Sequence, residues 1–150
     1  TLSAPFTAQP IEFARTPQRY GGLLWFATGS RALLYERDDN RHWWRSRLIN
    51  ADKPGDAGRV LWDMSTDDEY GFPGDVELRV PPNGAAVVRE AGGHLFLHGA
   101  GATPQGDRPF LDRYELATGK RPFAGETVSA VSASIVSDPP VPLRSDACHD

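Results

Sequence analysis

The stretch that decides the fold is Val76-Glu77-Leu78-Arg79-Val80-Pro81-Pro82-Asn83-Gly84-Ala85-Ala86-Val87-Val88-Arg89. Its first five residues alternate apolar and polar with the period of a strand, which places Val76, Leu78 and Val80 on one face. Ala85 to Arg89 supplies a partner strand. Between the two, the Asn83-Gly84 pair suits the positive φ angles of a tight hairpin turn, so the segment predicts an antiparallel hairpin.

Working outward, the same grammar repeats. Thirteen prolines and fifteen glycines cut the chain into short runs rich in β-branched and aromatic residues, a pattern of strands and turns rather than of helices. Upstream, Leu23 to Phe26 and Ala32 to Glu36 flank the turn Thr28-Gly29-Ser30. His42 to Asn50 reads as a third strand, and Arg59 to Asp63 as a fourth after the Pro54-Gly55 turn. Downstream, His94 to His98 places Leu95 and Leu97 on one face and His94, Phe96 and His98 on the other. Phe110 to Leu116 follows, with a short strand expected near Arg121 to Phe123. Two four-stranded units thus begin about fifty positions apart, near the period of propeller blades. The expected fold class is all-β, a partial β-propeller of about two antiparallel blades with an irregular C-terminal tail. A β-sandwich explains short strands and turns as well. The units divide as residues 1–21, the end of a preceding blade and a linker; 22–63, one blade; 64–123, a second blade with a long Gly/Pro loop; and 124–150, a divergent, loosely ordered tail.

Bulk composition excludes several classes. Of 150 residues, sixteen are basic and twenty acidic, for a formal charge of -4, which gives no general attraction to nucleic acid or to an anionic membrane. The apolar run Gly21 to Ala27 is far shorter than the roughly 18 residues of a membrane span. The expected chain is soluble, and neither a signal peptide nor a transmembrane segment is evident in it; its compartment is left open. Cys148 is the single cysteine, so neither an internal disulfide nor a multi-cysteine metal site can form.

Two further stretches carry a resemblance. Gly99-Ala100-Gly101-Ala102-Thr103-Pro104-Gln105-Gly106-Asp107-Arg108-Pro109-Phe110-Leu111-Asp112, followed by Ala117-Thr118-Gly119-Lys120, resembles a propeller segment of glutamyl endopeptidase-type serine peptidases of the prolyl oligopeptidase (S9) family. Arg19-Tyr20-Gly21-Gly22-Leu23-Leu24-Trp25, Ala32 to Arg37, Arg59 to Asp63, Asp68-Glu69-Tyr70 and Pro73-Gly74 match the preceding part in the same order. The likeness covers about residues 4 to 121. It implies a propeller that caps an α/β-hydrolase peptidase domain and filters access to it, with peptide substrate and that hydrolase domain as partners. The hydrolase domain would follow this chain. From about Phe123 the likeness ends, as a frameshifted or truncated reading of a longer gene would produce.

No catalytic residue is expected here. A hydrolase of this type needs a Gly-x-Ser-x-Gly nucleophile turn with acid and His following; Ser132 and Ser134 lack the glycines, and His149 is near the end of the sequence. His94 and His98 would stand about 13 Å apart along a strand, too far to share one metal. Asp67, Asp68, Glu69 and Asp75 could gather a hard cation, or form a solvated acidic loop. Gly99 to Ala102 lacks the helix and the Gly-Lys-Ser/Thr of a phosphate loop. No cofactor and no metal are therefore expected. One cluster mixes cations with aromatic surface: Arg41, Trp43, Arg45 and Arg47 should share one strand face, with His42, Trp44 and Ser46 on the other. That face is the candidate for binding an acidic peptide by charge and stacking; alternatively, its tryptophans pack between sheets while its arginines stay wet. A short non-enzymatic β-repeat binding module is the competing function. Two blades outside a closed ring leave unsatisfied faces, which predicts self-association.

Overall fold

A computed structural model describes residues 7, 9–82 and 84–121. Among them there is no helix; every regular element is a strand. β1 (Arg19–Trp25), β2 (Arg31–Asp38), β3 (Trp43–Asn50) and β4 (Arg59–Ser65) form an antiparallel meander in the order β1-β2-β3-β4. The expected turn at Thr28 to Ser30 is present: Gly29 adopts φ +72°, and the Phe26 N–H donates to the Arg31 carbonyl at 3.1 Å. β2 is buried on both faces, with Leu33 and Tyr35 to one side and Ala32, Leu34 and Glu36 to the other. A central strand between two covered faces needs apolar residues at consecutive positions, which is why Ala32-Leu33-Leu34 does not alternate.

The second half departs from the expected hairpin. Val76 to Val80 is not one strand. β5 (Asp75–Val76) lies beside β9 (His94–Gly99), whereas β6 (Leu78–Arg79) leaves that sheet and pairs with β7 (Val87–Val88). β8 (Glu90–Ala91) then returns to β9, and β10 (Phe110–Glu115) pairs along its other edge. Opposite β9, Asp75 faces His98, Val76 faces Leu97, and the Glu77 N–H donates to the Phe96 carbonyl at 2.8 Å. The next position, opposite Leu95, is filled by Glu90. Residues 75–77 and 90–91 therefore share one strand slot, and the β6–β7 hairpin is an excursion from it.

The turn within the excursion also differs from the expected one. The Gly84 N–H donates to the Pro81 carbonyl at 2.9 Å, so Pro82, not Asn83, follows the turn's first residue. Gly84 at φ +80° then returns the chain. Proline at the second turn position comes with its φ already set, which favours this placement over an Asn-Gly corner. The pairing moves with it, to Leu78 opposite Val88 and Arg79 opposite Val87. The expected apolar face is consequently wet at its far end, with Val80 70% exposed, while Val88 is buried.

The two four-stranded sheets meet over one core. Leu33 from β2, Leu95 and Leu97 from β9 and Val88 from β7 are almost wholly buried, with Phe26, Tyr114 and Leu116 beside them. Burying each such aliphatic side chain contributes about 1.5–3 kcal/mol. A parallel bridge between Phe26 and Val88 also joins the halves. On the opposite face of the first sheet, Ala32, Leu34 and Ile49 are covered by Phe13 and Ala14. Antiparallel sheets of four, four and two strands, the larger two sharing a core, are compatible with a partial propeller-like arrangement. The expected strand near Arg121 to Phe123 and the tail from 124 lie beyond the described residues, apart from Arg121 itself.

Candidate functional site

β3 carries the expected cationic and aromatic cluster, and its neighbours determine what that cluster can do. Trp43, Arg45 and Arg47 occupy alternate positions of β3, while Arg41 precedes the strand in a turn where His42 takes φ +50°. The Arg41 guanidinium lies 5.7 Å from the Trp43 ring centroid, so the two groups meet by a cation–π contact across the turn rather than along one strand. The turn is fixed by the His42 carbonyl, which accepts from the Thr66 N–H at 2.7 Å and from the Ser65 hydroxyl at 3.1 Å.

Strand register puts a carboxylate on either side of Arg45. Glu36 of β2 and Asp63 of β4 both stand directly opposite it. Arg45 Nη2 is 2.9 Å from an Asp63 oxygen, and Nη1 is 3.4 Å from Glu36 Oε1. The Trp43 indole N–H donates to the other Asp63 oxygen. Burial works to raise the Asp63 pKa, but the hydrogen bonds from Arg45 and Trp43 outweigh it and hold the carboxyl below its ordinary value. Arg45 is correspondingly raised, chiefly by its hydrogen bond to Asp63.

Arg47 is spent on the fold. It is 7% exposed, and its Nη1 and Nη2 donate to the carbonyls of Ala57 at 2.5 Å and Arg15 at 2.8 Å. Its Nε stands 3.7 Å from Glu36 Oε1. It thus pins both the β3–β4 loop and the segment bearing Phe13 and Ala14 onto the sheet. Of the four candidates, the structure brings Trp43, Arg45 and Arg47 onto one face with Glu36 and Asp63, and leaves Arg41 at its edge. Sequence reasoning missed the two acids: both stand inside strands that it recognised, but their register with β3 depends on pairing rather than on local pattern. A cavity of about 540 Å³ opens beside Arg45 and Arg47, bounded by Glu12, Arg15, Asp56 and Val60.

The opposite face of the same sheet is aromatic. Trp44 lies 6.3 Å from Tyr35, 6.2 Å from Trp62 and 6.1 Å from Phe72 between ring centroids, and Trp62 lies 5.0 Å from Tyr114 of β10. Burial is the main influence that pushes the Tyr35 phenol up to about 12, and the negative charge of Asp75 adds to it. The histidines and acids weighed above as metal ligands are dispersed. His98 Nδ1 is 3.0 Å from Glu77, and His94 Nδ1 is 2.9 Å from the Gly92 carbonyl. Asp67 contacts His42, and Asp68 accepts from the Gly71 N–H. Among the described residues no group of three or more His, Cys, Asp or Glu side chains is arranged to hold a metal ion. Ser132, Ser134, Cys148 and His149 lie outside the described residues. Among the described residues no helix is long and apolar enough to cross a membrane.

With this geometry in place, comparison with known proteins adds a relationship. The chain is similar to part of a glutamyl endopeptidase. It is 35% identical over 119 residues to a probable chloroplastic glutamyl endopeptidase of Arabidopsis thaliana, a match covering 75% of this chain and 12% of that relative. A probable chloroplastic glutamyl endopeptidase of Oryza sativa subsp. japonica is 34% identical over 118 residues, with the same coverage. The matched segment thus spans about an eighth of the length of these curated relatives. No family model and no solved structure matches the chain. The likeness supports a peptidase-related family.

Proposed function

We propose that this chain is a non-catalytic propeller portion of a serine-type peptidase of the prolyl oligopeptidase (S9) family, resembling glutamyl endopeptidase, and that it admits peptide substrates to a hydrolase domain outside this sequence. The observation that carries the reading is the similarity to two plant glutamyl endopeptidases over three quarters of the chain. The antiparallel sheets are compatible with it. The role of the sheet is positional: it presents fixed faces and loops, while nucleophile, base and oxyanion donors would belong to the missing domain.

The pairing pattern on β3 adjusts which cations take part. Arg45 and Arg47 are committed to Glu36, Asp63 and backbone carbonyls. Recognition of an acidic peptide by the four-residue cluster therefore falls first to Arg41 with Trp43, at the outer edge. The partners of the module are peptide substrate and the hydrolase domain, and a second copy of the chain where blade faces stay unsatisfied.

The test is to extend the gene in the reading frame and express the full product. A downstream Gly-x-Ser-x-Gly frame, labelling by a serine-reactive probe and cleavage of a fluorogenic Glu-peptide are the expected results. A natural stop with no such frame would overturn the reading in favour of a short non-enzymatic β-repeat binding module.

A further inference from the structure

The aromatic face described above does not close completely against the second sheet. A cavity of about 380 Å³ remains, lined by Tyr35, Trp44, Trp62 and Phe72 together with Leu24 and Val76. Asp75 also lines it, and the lining residues include no Lys, Arg or His. The rest of the rim comes from the loop between β4 and β5, where Thr66 and Gly74 enter the lining and Asp67, Asp68 and Glu69 lie between them in sequence. Gly74 takes φ +98°, and a Cβ there would come within 2.7 Å of the His98 carbonyl oxygen, so the loop re-enters the sheet only through glycine.

Two independent features define what suits this space. Four aromatic rings line the space, and the electron-rich face of such a ring attracts a weakly hydrated cation of low charge density better than strongly hydrated sodium. The single charged lining group is a carboxylate, and its field already reaches the Tyr35 phenol, which also lines the cavity. An anion would meet Asp75 without a balancing donor; a neutral apolar molecule would gain nothing from it.

We propose that this cavity binds an alkylammonium group, held by the Tyr35, Trp44, Trp62 and Phe72 rings with Asp75 as counter-ion. The ammonium can arrive on a small molecule or on a lysine side chain of a peptide. The proposal stands apart from the peptidase reading, because it concerns the other face of the first sheet and needs no hydrolase domain.

The experiment is a fluorescence titration of the full chain, in which Trp44 and Trp62 report occupancy. Three probes are compared: choline, N-acetyl-lysine amide, and 3,3-dimethyl-1-butanol, the uncharged isostere of choline. At least one of the two cations should bind roughly tenfold or more tightly than the alcohol, as desolvated cation–π contacts with a counter-ion require. Which cation binds more tightly identifies the source. Asp75→Asn should weaken cation binding about tenfold, the scale of one lost charged partner, and leave the alcohol unchanged. Phe72→Leu should weaken the cation while keeping the pocket apolar. Equal binding of cation and alcohol overturns the proposal, as does absence of saturation by either cation up to about 10 mM, beyond the weakest affinity of a specific site. The isostere comparison on the unaltered chain decides the matter even where a variant fails to fold.

Discussion

The two faces of the first sheet are built from the same strands yet are stabilised by different physics. Toward the second sheet, Leu33, Tyr35, Trp44 and Trp62 form an apolar and aromatic layer. Away from it, Glu36, Arg45, Arg47 and Asp63 form an ionic layer with Glu36 only 1% exposed. The apolar layer gains from every area it removes from water. In the ionic layer, attraction must first offset desolvation, and the net gain is small even where loss of one partner is costly. The contrast teaches that the cation-rich β3 is a structural clamp at its centre, which leaves only its edge for the proposed recognition of peptide.

The largest effect should come from the apolar layer. Leu33→Ala removes a fully buried side chain at the contact between sheets and is expected to cost about 4 kcal/mol, within the range for such truncations; urea unfolding measures it, and a loss below about 1 kcal/mol would show that the sheets are not tightly packed. Next is Glu36→Ala, which leaves Arg45 and Arg47 facing each other without their shared acid and should cost about 3 kcal/mol. If Glu36→Ala proves neutral in the same assay, the ionic layer is solvated and the contrast fails.

A smaller effect sharpens the comparison through pH. The folded pKa of Tyr35, about 12, lies above the ordinary value of 10.0. A raised folded pKa means that the unfolded chain loses its proton first as pH rises. The stabilisation from keeping Tyr35 neutral is thus complete below about pH 10 and is lost between about pH 10 and 12, by roughly 2 kcal/mol. Spectrophotometric titration should show a phenol ionising above the ordinary tyrosine value that Tyr35→Phe removes, and the same substitution should flatten this part of the alkaline stability profile. The smallest effect is expected for Arg41→Ala: its contact with Trp43 is at the surface, so stability should change by less than about 0.5 kcal/mol. Any loss of affinity for Glu-rich peptides in this variant then reports recognition alone, and unchanged affinity removes Arg41 from the proposed role.

The first four strands were legible in the sequence because each lies between turn residues and pairs with its neighbour, so local pattern and tertiary pairing agree. Val76 to Val80 was misleading for the opposite reason. Its alternation is real, but the backbone changes partner after Glu77, and period-two patterning carries no information about which strand lies alongside. The candidate site was half legible. The cations of β3 and their shared face follow from alternation, whereas the acids that neutralise two of them depend on the registers of two hairpins and on the bulge opposite Ser46 and Arg47. The aromatic cavity was less visible still, since Phe72 reaches it from a loop with no periodicity of its own and Asp75 from a strand of only two residues.

The excursion between Glu77 and Glu90 has a consequence for how the molecule comes apart. Val80 just beyond β6 is exposed, but the base of the excursion places Val88 in the shared core and bridges it to Phe26 at the end of β1. A hairpin that belongs to the second sheet by sequence is therefore a rivet through the first. Neither half can open without drawing Val88 out of the other, so the slowest-exchanging amides of the two sheets should open together, as one cooperative unit rather than two beads on a string.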